Sequence, residues 1–429
     1  MRIPLREVTP EIQTAEVTGW VHEIRDLGGL SFYILRDRTG FLQATIIKKK
    51  ASEAVLKAAK EVSRESVVKI SGIVKESDKA PGGREIIPEY FEIISKAETP
   101  LPLDVSEKVL AEVDTRLDNR YLDARRPKVA AIFQIRSAVN HAVTDYLYKE
   151  GFINITTSKV VAAATEGGTE LFPIAYFEKE AFLNQSPQLY KQMMMAAGFE
   201  KVFEIGPIFR AEEHNTTKHL NEATSIDVEV SFADHNDVMN LLENMIVSTY
   251  EYVDKTCSDA LNTLETDFKV PTGKFPRLPY SEAIDIASLS VDEEIAYGDD
   301  LSSAAERAIG EEMGEHYFIT DWPTAIKPYY AMPYEDEPEI CRAFDMMHPK
   351  MELSSGAQRI HQYDLLVEQM EKKGLSPESF EFYLKPFKYG MPPHAGWGVG
   401  MDRLVMTMLD LPNIREAVLF PRDRHRVTP

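Results

Sequence analysis

The sequence holds only two cysteines, Cys257 and Cys341, among 429 residues. That excludes a disulfide framework and a thiolate metal cage, suits a reducing compartment, and leaves oxygen as the ligand type for any metal. No run of about 18 apolar residues occurs, and the opening MRIPLREVTP lacks the apolar stretch of a signal peptide. A soluble, cytoplasmic protein with no membrane partner is expected. Internal repeats and low-complexity tracts are absent too, which excludes a repeat array. Positive charge is scarce: 48 Lys and Arg face 69 Asp and Glu, for a net charge of −21. Phosphate contacts need cations, so at first sight this argues against a nucleic-acid partner. The deficit is uneven, however. Residues 1–100 hold 16 basic against 15 acidic side chains, so the rest of the chain carries the whole excess. An acidic body with a near-neutral N-terminal module can still meet RNA through local basic strips while shedding non-specific RNA.

What is present points to two domains, since 44% hydrophobic content in a chain of this length supports two cores. From Ala15 to about Ile94, the segments VTGWVHEI, LSFYILRD, LQATIIK, VVKISGIVK and REIIPEYFEII alternate apolar and polar residues between glycine-containing turns. One helical stretch, SEAVLKAAKEV, precedes the fourth segment. Five strands with a helix before the fourth is the pattern of an OB-fold β-barrel. TPLPLD, Thr99 to Asp104, then breaks the pattern with prolines and reads as a hinge. Beyond it, KVAAIFQIRSAVNHAVTDYLYKEG has helical spacing and stops at Gly151. Strand-like runs such as KVFEIGPIFRA and SIDVEVSFA then alternate with helices such as NDVMNLLENMIVSTYEYV, which favours an α/β or α+β body. The division expected is 1–98 for the barrel, 99–125 for the hinge and 126–429 for the larger domain.

Four elements of that larger domain carry candidate chemistry. In GWGVGMDRLVMTMLDL, Gly396, Gly398 and Gly400 would let a ligand approach the backbone, and Asp402 and Arg403 open an amphipathic helix. An arginine there could stack on a nucleotide or pair with phosphate, although a glycine-rich turn before a helix is also common as plain structure. In IGPIFRAEEHNTTKHLNEATSIDVEVSF, two strand-like runs flank a polar, basic loop. This reads as a hairpin with Arg210 and Glu212 at its base, on one face by their spacing of two, or as an edge hairpin with a surface ion pair. FLNQSPQLYKQMMMAAG sets Gln185, Ser186, Gln188 and Lys191 before an apolar run, whose three methionines read as core packing. FDMMHPKMELSSGAQRIHQYDLL offers Asp345, Glu352 and Ser355 as hard oxygen ligands and Arg359 as a bidentate cation. Taken singly, Lys191 and Arg359 read as solvated charges.

Together and in this order, behind a leading barrel, the four elements resemble the class II aminoacyl-tRNA synthetases of the subgroup with an N-terminal OB anticodon-binding domain. FRAE matches the second motif of that family and GVGMDRL the third, while SPQLYKQ and ELSSGAQRIH resemble the aspartate branch. The resemblance spans nearly the whole chain. It implies a multidomain α+β protein: the OB-fold β-barrel plus a class II synthetase catalytic domain, an antiparallel sheet flanked by helices. It implies ligase activity, with ATP activating L-aspartate before transfer to tRNA, and Mg²⁺ as cofactor. Among site residues it implies Arg210 on the α-phosphate and substrate carboxylate, Glu212 on adenine, and Arg403 at the triphosphate end, with His219 and Gly400 also at the nucleotide. Glu352 and Ser355, with Asp345, would hold the metal. Lys191 and Arg359 would clamp the side-chain carboxylate of aspartate, and asparagine would leave both buried cations unpaired, at a cost of roughly 4–7 kcal/mol. Ser186, Gln188 and Asp227 are candidates for the α-amino group. TEGGTELF resembles a loop that closes over aspartate, with Glu166 reading the ammonium and the glycine pair as hinge or as an ordinary turn.

In the barrel, Gly19 to Ile46 resembles an anticodon face. Phe32 would stack a base, or else belong to the barrel core, while Arg25 and Gln43 would hydrogen-bond. Archaeal relatives confined to tRNA-Asp tend to carry Trp after GWV and Lys in the loop before the last strand. Here those places hold His22 and Pro81, which resembles the relaxed type that also charges tRNA-Asn. The gap from Glu229 to Gly396 is too short for the extra domain of bacterial relatives, and YFITDWPTAIKPYYAMP resembles the archaeal and eukaryotic branch. A homodimer is implied as well. Two departures stand against the pattern: Ser158 replaces a proline, with Asn154 replacing an acid, in the first motif, and Ala223 replaces an aromatic that often stacks on adenine. The alternatives are an enzyme restricted to tRNA-Asp, an asparagine-specific synthetase, a tRNA-independent asparagine synthetase and a catalytically inert RNA-binding module.

Overall fold

The computed structural model describes residues 3–162, 171–212, 216–290 and 295–428, and the chain divides into two units, Met1–Arg126 and Pro127–Pro429. In the first unit, period-two alternation closes a barrel. Its strands are β1 (Thr14–Asp26), β2 (Leu30–Asp37), β3 (Gly40–Ile47), β4 (Val67–Glu76) and β5 (Arg84–Ser95), in the closed order β1-β2-β3-β5-β4. Val17, Val21, Leu35, Leu42, Ala44, Ile46, Val68, Ile70 and Ile86 fill the interior from alternate positions. The Glu53–Glu61 helix, capped by the Ser52 hydroxyl accepting from Val55 N, lies between β3 and β4. The proline-broken segment after residue 98 packs with this unit. Arg64 reaches Asp104 at 3.2 Å and Arg125 donates to Glu65 at 2.9 Å.

The second unit is an eight-stranded sheet plus a small three-stranded one. In chain order its strands are β6 (Ile153–Asn154), β7 (Val160–Val161), β8 (Pro173–Tyr176), β9 (Lys179–Leu183), β10 (Lys201–Phe209), β11 (Glu222–Ser231), β12 (Arg277–Pro279), β13 (Tyr317–Pro323), β14 (Ile340–His348), β15 (Met351–Arg359) and β16 (His394–Gly400). The main sheet runs β12-β13-β14-β15-β16-β11-β10-β6, antiparallel except at its two outermost pairs, and β7, β9 and β8 form the small sheet. The expected antiparallel sheet flanked by helices is present. Helices Pro127–Lys149, His235–Thr256 and Met401–Met408 bury Ile135, Val139, Leu242, Ile246 and Leu404 against one face of this sheet, where Ile226, Val228, Ala395, Trp397 and Val399 meet them. Strand alternation then forces Ser225, Asp227, Glu229, Gly396, Gly398 and Gly400 onto the opposite face. No helix among the described residues is long and apolar enough to cross a membrane.

Candidate functional site

That opposite face floors a cavity of about 530 Å³. Ser186, Gln188, Lys191, Arg210, Glu212, His219, Asp227, Asp345, Glu352, Ser355, Arg359, Gly400 and Arg403 all line it. Glu166 lies outside the described residues. Residues more than 200 positions apart meet here because β11, β16 and β15 are adjacent, with Asp227 opposite Gly398 and Arg359 opposite His394.

The two cations expected to clamp a carboxylate sit on one side of the cavity, already engaged. Lys191 projects from the Gln188–Ala196 helix, and its Nζ donates to Asp227 Oδ1 at 3.0 Å and to the carbonyls of Trp397 and Val228 at 3.0 and 3.3 Å. Arg359 Nε donates to Glu229 Oε1 at 3.0 Å, and Glu229 Oε2 lies 3.6 Å from Lys191 Nζ. Glu229 bridges the two cations, and the residue-by-residue reading of the sequence missed it. Burial works to raise its carboxyl, but the charges of Arg359 and Lys191 hold it below its ordinary value. This corrects the expected source of selectivity. An uncharged ligand does not leave the cations unpaired, because Glu229 and Asp227 remain. The Lys191–Glu229–Arg359 row carries one net positive charge, which the adjacent Asp227 carboxylate balances before a ligand arrives, and the Arg359 guanidinium also lies 5.3 Å from the Tyr330 ring. Gly396 is part of the same device: a Cβ there would fall 2.2 Å from Glu229 Oε2 and from Val228 O. Its missing side chain gives room to a carboxylate rather than to a ligand, which revises the reading of Gly396, while Gly398 and Gly400 line the cavity.

At the other end, Asp345 and Ser355 face each other across β14 and β15, and a bulge brings Glu352 opposite Met347. Burial, chiefly, pushes the Asp345 carboxyl up to about 6, against the nearby Lys327 charge, which donates to Oδ2 at 2.5 Å. Oδ1 of Asp345 is buried and meets no donor within hydrogen-bond geometry. No cluster of three His, Cys, Asp or Glu occurs among the described residues. An ion here would therefore rest on two carboxylates and the Ser355 hydroxyl, an all-oxygen set with room for water that fits Mg²⁺. Arg403 Nη1 donates to Glu352 O at 3.2 Å. Lys327 and Glu306, on the Ser303–Met313 helix, also line the cavity and were not singled out from sequence, where each is a lone charge. Burial and the neighbouring Glu352 push the Glu306 carboxyl up to about 7.

These groups set a pH dependence. Burial pushes the imidazoles of His316, His348 and His394 down to about 3, 4 and 4. Unfolded histidine takes its proton near about 6.5. Below that value the unfolded chain binds three more protons from these groups, so stability falls with pH. Asp345 and Glu306, with raised folded pKa values, oppose this by binding protons preferentially in the folded state. Burial lowers His235 and His361 as well, so the histidines outnumber the two raised carboxyls and stability should fall as the pH drops from 6 to 5. Glu306→Gln should steepen that fall, because it removes a group that binds its proton preferentially in the folded state. Chemical denaturation across this range reads both, and a flat wild-type profile contradicts the assignment.

The hairpin of β10 and β11 pairs Phe209 with Glu222, so Arg210 and Glu212 lie just past the strand end rather than on it. Period-two spacing therefore does not apply to them. Asn221 pins them instead, its Nδ2 donating to the carbonyls of Arg210 and Glu212 at 2.7 and 3.3 Å. Thr216 Oγ1 lies 2.6 Å from His219 Nδ1, and Ala223 lines the cavity beside it. Ser158 and Asn154 are exposed, and the Ser158 hydroxyl donates to Val160 O at 2.8 Å.

On the barrel unit, Phe32 is excluded from the interior cluster and pairs with Arg25 and Thr45 on the outer face, so the alternative reading as core falls. Gln43 shares that face, and with Thr45 it donates to Glu85 at 3.0 and 2.6 Å. Arg25 is exposed and held by Glu23 at 2.7 Å. His22 occupies a β-bulge between Val21 and Glu23, which re-aims its side chain toward Arg36 Nη1 at 3.0 Å and the Phe41 ring. Pro81 opens an exposed turn, Pro81–Gly83, before β5.

Comparison with known proteins agrees with this geometry. The family described as tRNA synthetases class II (D, K and N) matches residues 112–424, and the OB-fold nucleic acid binding domain matches residues 15–94. Over 429 residues, all of both chains, the sequence is 72% identical to an "Aspartate--tRNA(Asp/Asn) ligase" of Methanoculleus marisnigri. It is 61% identical, again over all of both chains, to the protein of that name from Archaeoglobus fulgidus. Among solved structures, asparaginyl-tRNA synthetase from Pyrococcus horikoshii complexed with asparaginyl-adenylate superposes with a TM-score of 0.94 at 33% identity, covering 100% of both chains. Aspartyl tRNA synthetase from Entamoeba histolytica gives 0.87 at 32% identity, covering all of this chain and 93% of that one.

Proposed function

Because the chain belongs to the class II tRNA synthetases (D, K and N) and carries an OB-fold nucleic acid binding domain, we propose that it joins L-aspartate to tRNA-Asp and to tRNA-Asn at the expense of ATP. The observation that carries the choice of amino acid is the Lys191–Glu229–Arg359 row, one net positive charge buried beside Asp227. An aspartate side chain answers that charge and an asparagine side chain does not. Asp227, Ser186 and Gln188 take the α-ammonium group, with Glu166 added from its loop. Arg210 grips the α-phosphate and the reacting carboxylate, which cancels their mutual repulsion and holds them for in-line attack. Glu212 accepts from adenine, His219 and Gly400 border the nucleotide, and Arg403 neutralises the triphosphate end. Asp345, Glu352 and Ser355 would hold Mg²⁺, which supplies further neutralisation of the phosphates. A carboxylate oxygen of aspartate attacks the α-phosphorus and pyrophosphate leaves. A terminal ribose hydroxyl of tRNA then attacks the activated carbonyl, and AMP departs.

The same reading assigns 1–98 to anticodon binding, 99–125 to a hinge and 126–429 to catalysis, in a cytoplasmic homodimer. Exposed Ile153 and Val160, in the segment resembling the first motif, are surfaces a symmetric partner would cover. Phe32 stacks an anticodon base while Arg25 and Gln43 read edges. His22 and Pro81, in place of bulkier or cationic residues, leave the third anticodon base unrestricted. Pyrophosphate exchange should require aspartate, ATP and Mg²⁺ but no tRNA, and asparagine should not replace aspartate. Charging of separate tRNA-Asp and tRNA-Asn transcripts should give comparable rates. Equal exchange with asparagine overturns the substrate, and failure on tRNA-Asn alone overturns the relaxed scope.

A further inference from the structure

Behind the candidate ammonium site, a chain of buried polar side chains runs inward from Gln188 through three residues that the mechanism above does not use. Gln192, His394 and Tyr383 have no exposed surface, and Gln188 is 4% exposed. The carbonyl of Pro392 can only accept, and it lies 2.8 Å from His394 Nδ1, so Nδ1 carries the ring proton. Burial keeps this imidazole neutral at ordinary pH, which leaves Nε2 bare and able only to accept. The atom 3.0 Å from it must therefore be the amide nitrogen of Gln192. The Gln192 carbonyl oxygen then turns the other way, accepting from Tyr383 Oη at 3.0 Å and from Gln188 Nε2 at 2.9 Å. Each link has its polarity dictated by the one before, back to a single backbone carbonyl.

We propose that Gln192 and His394 are positioning residues that orient the Gln188 amide, holding its NH₂ group inward so that its oxygen, Oε1, is the atom offered to the α-ammonium group of the amino acid. The inference rests on the assignment of Gln188 to that ammonium. A reversed Gln188 would set two carbonyl oxygens against each other at Gln192 and present a donor to a donor in the cavity. Buried groups left without complementary partners are costly, so the relay makes an amide, otherwise free to flip, selective for a cation.

Two measurements test it. In the native full-length protein labelled with ¹⁵N-histidine, His394 should show a protonated Nδ1 and a bare Nε2 at neutral pH, and the opposite tautomer overturns the relay. Next, affinities for L-aspartate and for succinate, which keeps both carboxylates and lacks the ammonium, are compared in Gln188→Met and Gln192→Met, substitutions of similar volume. Gln188→Met should weaken aspartate and spare succinate. Gln192→Met should do the same, by about tenfold for aspartate. If Gln188→Met affects both ligands alike, the ammonium assignment fails and the relay with it. If Gln188→Met discriminates but Gln192→Met does not, or weakens both equally, the relay fails alone.

Discussion

Lys191→Met should lower kcat/KM for aspartate in pyrophosphate exchange by about 10³, with a smaller loss for any residual asparagine reaction. The reason is charge, counted within one buried cluster. Lys191, Arg359, Asp227 and Glu229 sum to zero before substrate arrives, and aspartate brings a net negative charge. Without Lys191 the cluster becomes negative and repels the substrate it has to hold. Asp227 also loses its nearest cation, and Glu229 the more distant of its two. Removing one partner of a buried ion pair costs about 3–5 kcal/mol, so the variant should also unfold at lower temperature. Glu229→Gln moves the sum the other way. It should keep the preference for aspartate over asparagine while losing turnover, because the contact at 3.0 Å that holds Arg359 loses its charge. The contrast between the two variants separates electrostatic selection from mere damage to the pocket. Should Lys191→Met weaken aspartate and asparagine in equal proportion, selection by net charge is wrong.

Much of this fold was legible before any coordinates. Helical spacing marks Pro127–Lys149 and His235–Thr256 almost to their ends, and glycine-punctuated alternation marks the five barrel strands. What periodicity could not supply is which strands lie side by side. Arg359, Asp227 and the 394–400 segment meet only because β15, β16 and β11 are neighbours, and that adjacency entered through resemblance. Glu229 was passed over although a signal existed. Ser225, Asp227 and Glu229 alternate with Ile226, Val228 and Val230, so the chosen Asp227 shares its face with a second carboxylate. Glu306 and Lys327 offered no such sign, each being one charge in a sequence rich in them. Their place beside Glu352 and Asp345 is a product of tertiary packing.

Gly396→Ala should damage this site severely through the addition of a single methyl group. Gly396 has no left-handed backbone torsion, so conformational freedom is not the reason. Space is. A methyl at this position would meet Val228 O and Glu229 Oε2 at 2.2 Å, and the first of these is backbone in the adjacent strand. A side chain could swing aside, but a strand carbonyl cannot retreat without disturbing the ladder that sets Asp227 opposite Gly398. Overpacking of this kind costs about 1–3 kcal/mol, and displacing Glu229 would loosen both cations at once. The expected result is a melting temperature lowered by roughly 2–4 °C for each kcal/mol lost, with exchange activity down by about 10² or more. Gly400→Ala, on the same strand and the same face, is the control. Its nearest neighbours are carbons of Arg403 at 3.7 Å, an ordinary contact, so stability should be nearly unchanged. Equal effects from the two substitutions would mean that the run of glycines serves the ligand after all, and that Glu229 owes its place to something other than the gap at Gly396.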